Sequence, residues 1–235
     1  MSETEEDFLT LLDPYAPYEA FPPTELAWKS PNGLLAIGGD LSPTRLINAY
    51  RAGIFPWFNQ GEPIYWWSPD PRAVLYPHKI KVSRSLKKTI RNKGYQLYFD
   101  RDFSAVVKAC AAPRSTQNET WITDDMFTAY QHLHKLGVAH SVEVYNSEDH
   151  LVGGLYGIAS NGVFSGESMF SRESNTSKVA LVTLAHYLQK WGFSAIDCQI
   201  ESAHLTSMGA ENIRRSDYIK ILRRSQPIES DWACD

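Results

Sequence analysis

HSVEVY (residues 140–145), LVGGLYGIAS (151–160) and VFSGESMF (163–170), the last two joined by Asn161-Gly162, decide the architecture of this chain. Each run alternates with period two, and Asn-Gly is a preferred two-residue hairpin turn, so the three read as an antiparallel meander. Downstream, residues 177–191 set Val179, Val182, Leu184, Ala185 and Leu188 at helical spacing, with Gly192 as a stop. FSAIDCQI (193–200) reads as a buried strand, and a helix follows from about Ala203 to Met208. Strands, helix, strand and helix in this order predict an α+β domain with a mixed sheet and packed helices.

The reading upstream of the meander is less regular. A basic helix from Ser83, a strand near residues 95–99, a helix from Phe103 to about Ala111 and another from Asp124 to about Leu136 lead into it. Before these, residues 21–77 are rich in turns and read as a small N-terminal subdomain. PNGLLAIGGD (31–40) is a turn, a short apolar strand and a tight glycine turn, and a helix capped by Ser42 ends at Gly53. Residues 1–20 read as an acidic arm, mobile or loosely docked, and residues 78–235 as the larger domain.

GIFPWF (53–58) and PIYWWSPDPR (63–72) hold three of the seven tryptophans, among prolines and glycines expected to exclude a regular helix or central strand. Rings on a stiff frame suit stacking against a nucleobase, worth roughly 1–3 kcal/mol per base. The plainer reading is an aromatic core under loops.

With 235 residues, 43% of them apolar, the chain can bury a substantial core. It has no apolar run long enough for a membrane span, and its acidic MSETEEDFLT start is unlike a secretion signal, so a cytoplasmic location with no membrane partner is expected. Cys110, Cys198 and Cys234 are far apart and read as buried thiols; His132 and His134 lie two apart on a helix, so no metal is expected.

The net charge of -4 hides an uneven distribution, since residues 1–28 hold seven acidic side chains and no Lys or Arg. Residues 79–93 hold seven basic side chains and no acid. On a helix capped by Ser83, Leu86 and Ile90 form a docking face and Arg84, Lys87, Lys88 and Arg91 a basic one, a footprint for phosphates or simply a solvated surface. Arg214, Arg215, Lys220, Arg223 and Arg224 form a second basic cluster near the C-terminus.

Walker, dinucleotide and H-E-x-x-H motifs are missing. Polar residues stand instead in apolar strands: Glu167 in SGESMF, and Asp197 with Gln199 in AIDCQ. Two apart on one strand, Asp197 and Gln199 share a face, while Cys198 points away. They form either a hydrogen-bonded core network or the floor of a reacting site.

FPPTELA (21–27), PNGLLAIGGDLSPTRL (31–46), AYRAGIFPWF (49–58), WWSPDPRAVL (66–75), TWIT (120–123), FSGESMFSR (164–172), DCQ (197–199) and SMGA (207–210) resemble the leucyl/phenylalanyl-tRNA-protein transferase family. The resemblance implies a GNAT-like acyltransferase domain with a mixed, mainly antiparallel sheet behind a small N-terminal subdomain. It also implies transfer of Leu or Phe, less readily Met, from aminoacyl-tRNA to the α-amine of proteins starting with Arg or Lys, marking them under the N-end rule. Neither cofactor nor metal is implied, and DNA is not a partner.

By the same resemblance Trp57 and Trp121 flank the terminal adenosine, with Tyr50 and Tyr130 nearby. Leu155, Phe164 and Leu184 line the side-chain pocket, and Arg84, Lys87, Lys88 and Arg91 bind tRNA. Gln199 would orient the amine, Asp197 fix Gln199 or relay a proton, and Glu167 attract the acceptor cation or bind ribose. Two rivals remain: a CoA-dependent acetyltransferase, weak because SRESNTSK (171–178) lacks a glycine-rich pyrophosphate loop, and a non-catalytic RNA-binding module.

Overall fold

The computed structural model describes residues 9–112, 121–228 and 230–232. A four-stranded sheet holds β1 (Thr10–Leu12), β2 (Leu34–Gly38), β3 (Phe55–Pro56) and β4 (Tyr65–Trp67) in the order β1-β2-β4-β3. A seven-stranded sheet holds β5 (Arg72–Leu75), β6 (Gln96–Phe99), β7 (Ala139–Tyr145), β8 (Leu151–Ser160), β9 (Val163–Ser171), β10 (Ala195–Gln199) and β11 (Glu211–Ile213), ordered β11-β5-β10-β9-β8-β7-β6. Every neighbouring pair of the large sheet is antiparallel except β9 and β10. The helices are α1 (Pro43–Arg51), α2 (Arg84–Asn92), α3 (Phe103–Ala111), α4 (Asp124–Lys135), α5 (Thr176–Trp191), α6 (Ala203–Ser207) and α7 (Arg215–Arg224). This is the α+β arrangement with a mixed sheet expected from the order of strands and helices, and the mainly antiparallel pairing is the one that the resemblance implied.

Both faces of the meander are covered, so its alternation sorts side chains between two cores. Val142, Val144, Leu155 and Phe164 pack with Leu181, Leu184 and Leu188 of α5. Tyr156, Ile158 and Phe170 turn the other way, toward α3, α4, α1 and the small sheet. A third cluster joins Tyr218, Ile219 and Leu222 of α7 to Val74, Val163 and Ala195. Burial on this scale, at roughly 25 cal/mol per Å² of apolar surface, is the main source of stability.

Three local expectations require correction. Tyr65–Trp67 is an interior strand of the small sheet and Arg72–Leu75 an interior strand of the large one, because the prolines at 63, 69 and 71 fall outside them. Residues 10–12 of the acidic arm form β1, paired in parallel with β2, and Arg45 donates to the Asp13 and Ala16 carbonyls. Both β11 and α7 lie in a stretch where no element was expected. Of the three tryptophans, Trp66 is fully buried and supports the core reading, whereas Trp57 is 44% exposed.

Candidate active site

The parallel pairing of β9 with β10 covers only Val163 to Ser165 against Ala195 to Asp197. Where the pairing stops, a cavity of about 880 Å³ opens beside both strands. Each strand carries an extra residue nearby. Glu167 is unpaired between Gly166 and Ser168 opposite Tyr156 and Gly157, and Cys198 between Asp197 and Gln199 opposite Val74 and Ala73. Such bulges bend a strand and re-aim its side chains. Gln199 follows its bulge in the left-handed conformation, φ +62°, a backbone state uncommon for residues other than glycine.

Asp197 is fully buried and lies between several donors. Arg72 Nε and Nη2 donate to its two oxygens at 2.7 Å each, Tyr218 Oη at 2.9 Å, Ser165 Oγ at 3.3 Å and the Gln199 backbone N–H at 3.0 Å. Arg72 Nη1 also donates to the Gly53 carbonyl at 3.0 Å, tying the end of α1 to the site. Gly53 has φ +77°, and a Cβ there would stand 2.5 Å from Ile219 Cδ1. Burial works against the charged guanidinium, and the Asp197 carboxylate outweighs it, so the Arg72 pKa rises.

Glu167 faces the cavity. Tyr130 Oη donates to it at 2.5 Å, Gln199 Nε2 at 3.0 Å, and Tyr50 Oη lies 3.0 Å from Tyr130 Oη. Burial pushes the Glu167 carboxyl up to about 7; hydrogen bonds from Tyr130 and Tyr50 oppose the rise and the Asp197 charge adds to it. A chain of hydrogen bonds thus runs from α1 through α4 to both bulges.

Leu155, Phe164 and Leu184, with Leu181 and Ile196, form an apolar wall of the cavity, and Trp121 lines it too. Tyr50 and Tyr130 are fully buried and bear on the cavity through Glu167. Trp57 meets Trp67 edge to face, 5.7 Å between centroids. Helix α2 is capped by Ser83, buries Leu86 and leaves Arg84, Lys87, Lys88 and Arg91 exposed; none of the four is ion-paired among the described residues. In the second cluster Arg214 and Lys220 bridge Asp217, and Arg215 donates to the Ser68 carbonyl. No group of three His, Cys, Asp or Glu among the described residues could hold a metal ion. Cys234 lies outside the described residues.

Residues 74–223 match the leucyl/phenylalanyl-tRNA protein transferase family, and residues 39–70 match the N-terminal domain of the same family. A leucyl/phenylalanyl-tRNA–protein transferase of Pseudomonas syringae is 57% identical over 91% of this chain and 93% of its own, and one of Nitrosomonas europaea 58% identical over 87% and 86%. The chain belongs to the leucyl/phenylalanyl-tRNA–protein transferase family. It is an aminoacyltransferase that takes an aminoacyl group from tRNA to a protein. A GCN5-related N-acetyltransferase structure from Kribbella flavida aligns at a TM-score of 0.36 with 10% identity, over 69% of this chain and 58% of that one. That likeness is too slight to argue from, and the α+β class rests on the strand order. No helix among the described residues is long and apolar enough to cross a membrane.

For a leucyl/phenylalanyl-tRNA–protein transferase, the buried partners of Asp197 and one cavity-lining tyrosine carry little signal in the sequence. Arg72 lies within WWSPDPR, and its sole signal in the sequence is a cation opening the apolar run RAVL. Ser165 and Tyr218 left no signal, since a hydroxyl in a strand or helix is unremarkable until its partner is known. Tyr156 read as an ordinary strand aromatic.

Proposed function

We propose that this transferase moves Leu or Phe, less readily Met, from aminoacyl-tRNA to the N-terminal α-amine of proteins beginning with Arg or Lys, marking them for degradation under the N-end rule. The observation that carries this reading is one cavity in which Glu167 and Gln199 meet the apolar wall of Leu155, Phe164 and Leu184. That wall suits a large aliphatic or aromatic side chain, although a single methylene in such a pocket is worth only about 1–3 kcal/mol. Charged tRNA is a cytoplasmic reactant, so the reaction belongs there.

The chemistry is aminolysis of an ester. The amine nitrogen bonds to the carbonyl carbon, the carbon–oxygen bond to ribose breaks, and the proton lost by nitrogen ends on the ribose oxygen. An α-amine with a pKa of about 7.7–8.0 is roughly one-tenth neutral at pH 7, so positioning supplies most of the rate. Gln199 orients the amine, anchored through its backbone by Asp197 and through its amide by Glu167. Asp197 is a positioning residue rather than a relay. A carboxylate offers about four lone-pair sites, and five donated hydrogen bonds already converge on it. Glu167, facing the cavity with a pKa near neutrality, is the carboxyl able to hold the proton in transit. Trp57 and Trp121 stack on the terminal adenosine, and the exposed basic face of α2 holds acceptor-stem phosphates.

The test is transfer of radiolabelled Leu from Leu-tRNA to a peptide beginning with Arg, beside the same peptide acetylated at its N-terminus. Label on the free peptide alone is expected. Label on neither, with charged tRNA still bound, would overturn the reading in favour of a binding module.

A further inference from the structure

Three phenols cluster about Glu167 beside the cavity, and two are satisfied: Tyr50 and Tyr130 bond to each other, and Tyr130 to Glu167. The third, Tyr156, is fully buried and lines the cavity, and its hydroxyl has no hydrogen-bonding partner among the described residues. Its ring is fixed edge-on against Tyr130 at 5.2 Å and Phe103 at 5.8 Å between centroids. A buried hydroxyl left unbonded costs roughly 1–3 kcal/mol, so an orphan on a residue that lines a substrate cavity points to a group that arrives with the substrate.

We propose that the Tyr156 hydroxyl is a positioning group for the donor, bonding to the ribose of its 3′-terminal nucleoside. The inference rests on the proposed reading of the apolar wall as the aminoacyl pocket and of Trp121 as a base platform. Leu155 and Tyr156 are consecutive on β8 and face opposite sides of the sheet, Leu155 in the α5 core and Tyr156 in the α3–α4 core. In the proposed pose the donor sets its side chain against Leu155 and its base against Trp121, with its ribose between them in the cavity that Tyr156 and Glu167 also line. The ribose hydroxyl vicinal to the ester both donates and accepts, which matches a phenol. Burial and the neighbouring Glu167 hold the Tyr156 pKa well above its ordinary value, so the phenol keeps its proton to donate.

The test is a pairwise deletion. Tyr156→Phe keeps the ring and its edge-on contacts and removes one oxygen. Dissociation constants for Leu-tRNA ending in adenosine or in 2′-deoxyadenosine are measured, without acceptor, for the native enzyme and the variant. The expected result is a loss of about 5- to 10-fold for the variant with the adenosine end, the worth of one neutral hydrogen bond, and no difference between the enzymes with the deoxy end. The thermal midpoint of the variant should not fall, since no described residue bonds the hydroxyl. Equal affinities for the adenosine-ended donor, or the same fold-loss with both donors, would overturn the inference. Transfer of Leu to the Arg peptide by the native enzyme, run in parallel, separates the two readings. Its failure removes both, whereas normal transfer with no Tyr156 effect removes this one alone.

Discussion

Arg72 and Asp197, 125 residues apart in sequence, form a bidentate ion pair with both N–O distances at 2.7 Å and both side chains buried. The pair joins β5 to β10 beneath Gln199, and Arg72 extends it to Gly53 of the small subdomain. Removing one partner strands a buried charge, which costs about 3–5 kcal/mol. Arg72→Met and Asp197→Ala should each lower stability by that order in urea unfolding. The double variant should lose clearly less than the two together, because neither charge is then left alone. Strict additivity, or single losses below about 1 kcal/mol, would show that the pair does not organise the site.

Glu167 predicts a pH dependence of stability with a definite sign. Its folded pKa is raised from 4.5 to about 7, so between these values the folded state binds more protons than the unfolded one. The contribution is complete below about pH 4.5 and is lost as pH rises through about 7. Glu167→Gln removes the titration. The midpoint of Glu167→Gln relative to the native protein should therefore rise between pH 5 and pH 8 in thermal melts, and a constant or falling difference would contradict the assignment.

Gln199 combines a left-handed backbone with a side chain aimed at Glu167. Glycine tolerates that backbone without strain, so Gln199→Gly should keep the bulge while deleting the amide. We expect turnover to fall at least 10-fold with tRNA affinity unchanged within about 2-fold. Filter binding and single-turnover transfer separate the two, and a parallel loss of affinity would place Gln199 in donor binding.

Lys87→Ala with Arg91→Ala removes two exposed charges from α2 and leaves buried Leu86 in place. Binding of charged tRNA should weaken, and the slope of log affinity against log salt should become shallower by roughly one to two. Turnover at saturating tRNA should be retained. An unchanged salt slope would mean that this face is merely solvated.

Much of the scaffold was legible because it is written in near-neighbour chemistry. Period-two runs and Asn161-Gly162 place the meander, the side chains of Ser42 and Ser83 cap α1 and α2, and Gly192 ends α5. The local composition of 53–72 misled about β4 and β5. A proline removes only its own N–H donor, so Pro56 is tolerated on the edge strand β3, and the three or four residues between the other prolines suffice to pair. The acidic start of the chain likewise obscured the short pairing of Thr10–Leu12 with β2.

What the sequence by itself determined was the family, the order of most elements and the polar residues that stand out in apolar strands. What only the tertiary structure decided was how those residues are aimed and partnered. Whether Trp66 or Trp57 is buried, whether Asp197 is saturated and whether Tyr156 has a partner all depend on which strand lies beside which. The bulges at Glu167 and Cys198 depend on it too, since an extra residue is defined only against a paired strand. Local propensity acts over a few residues of chain, whereas the charges and hydroxyls of this site meet across as many as 125.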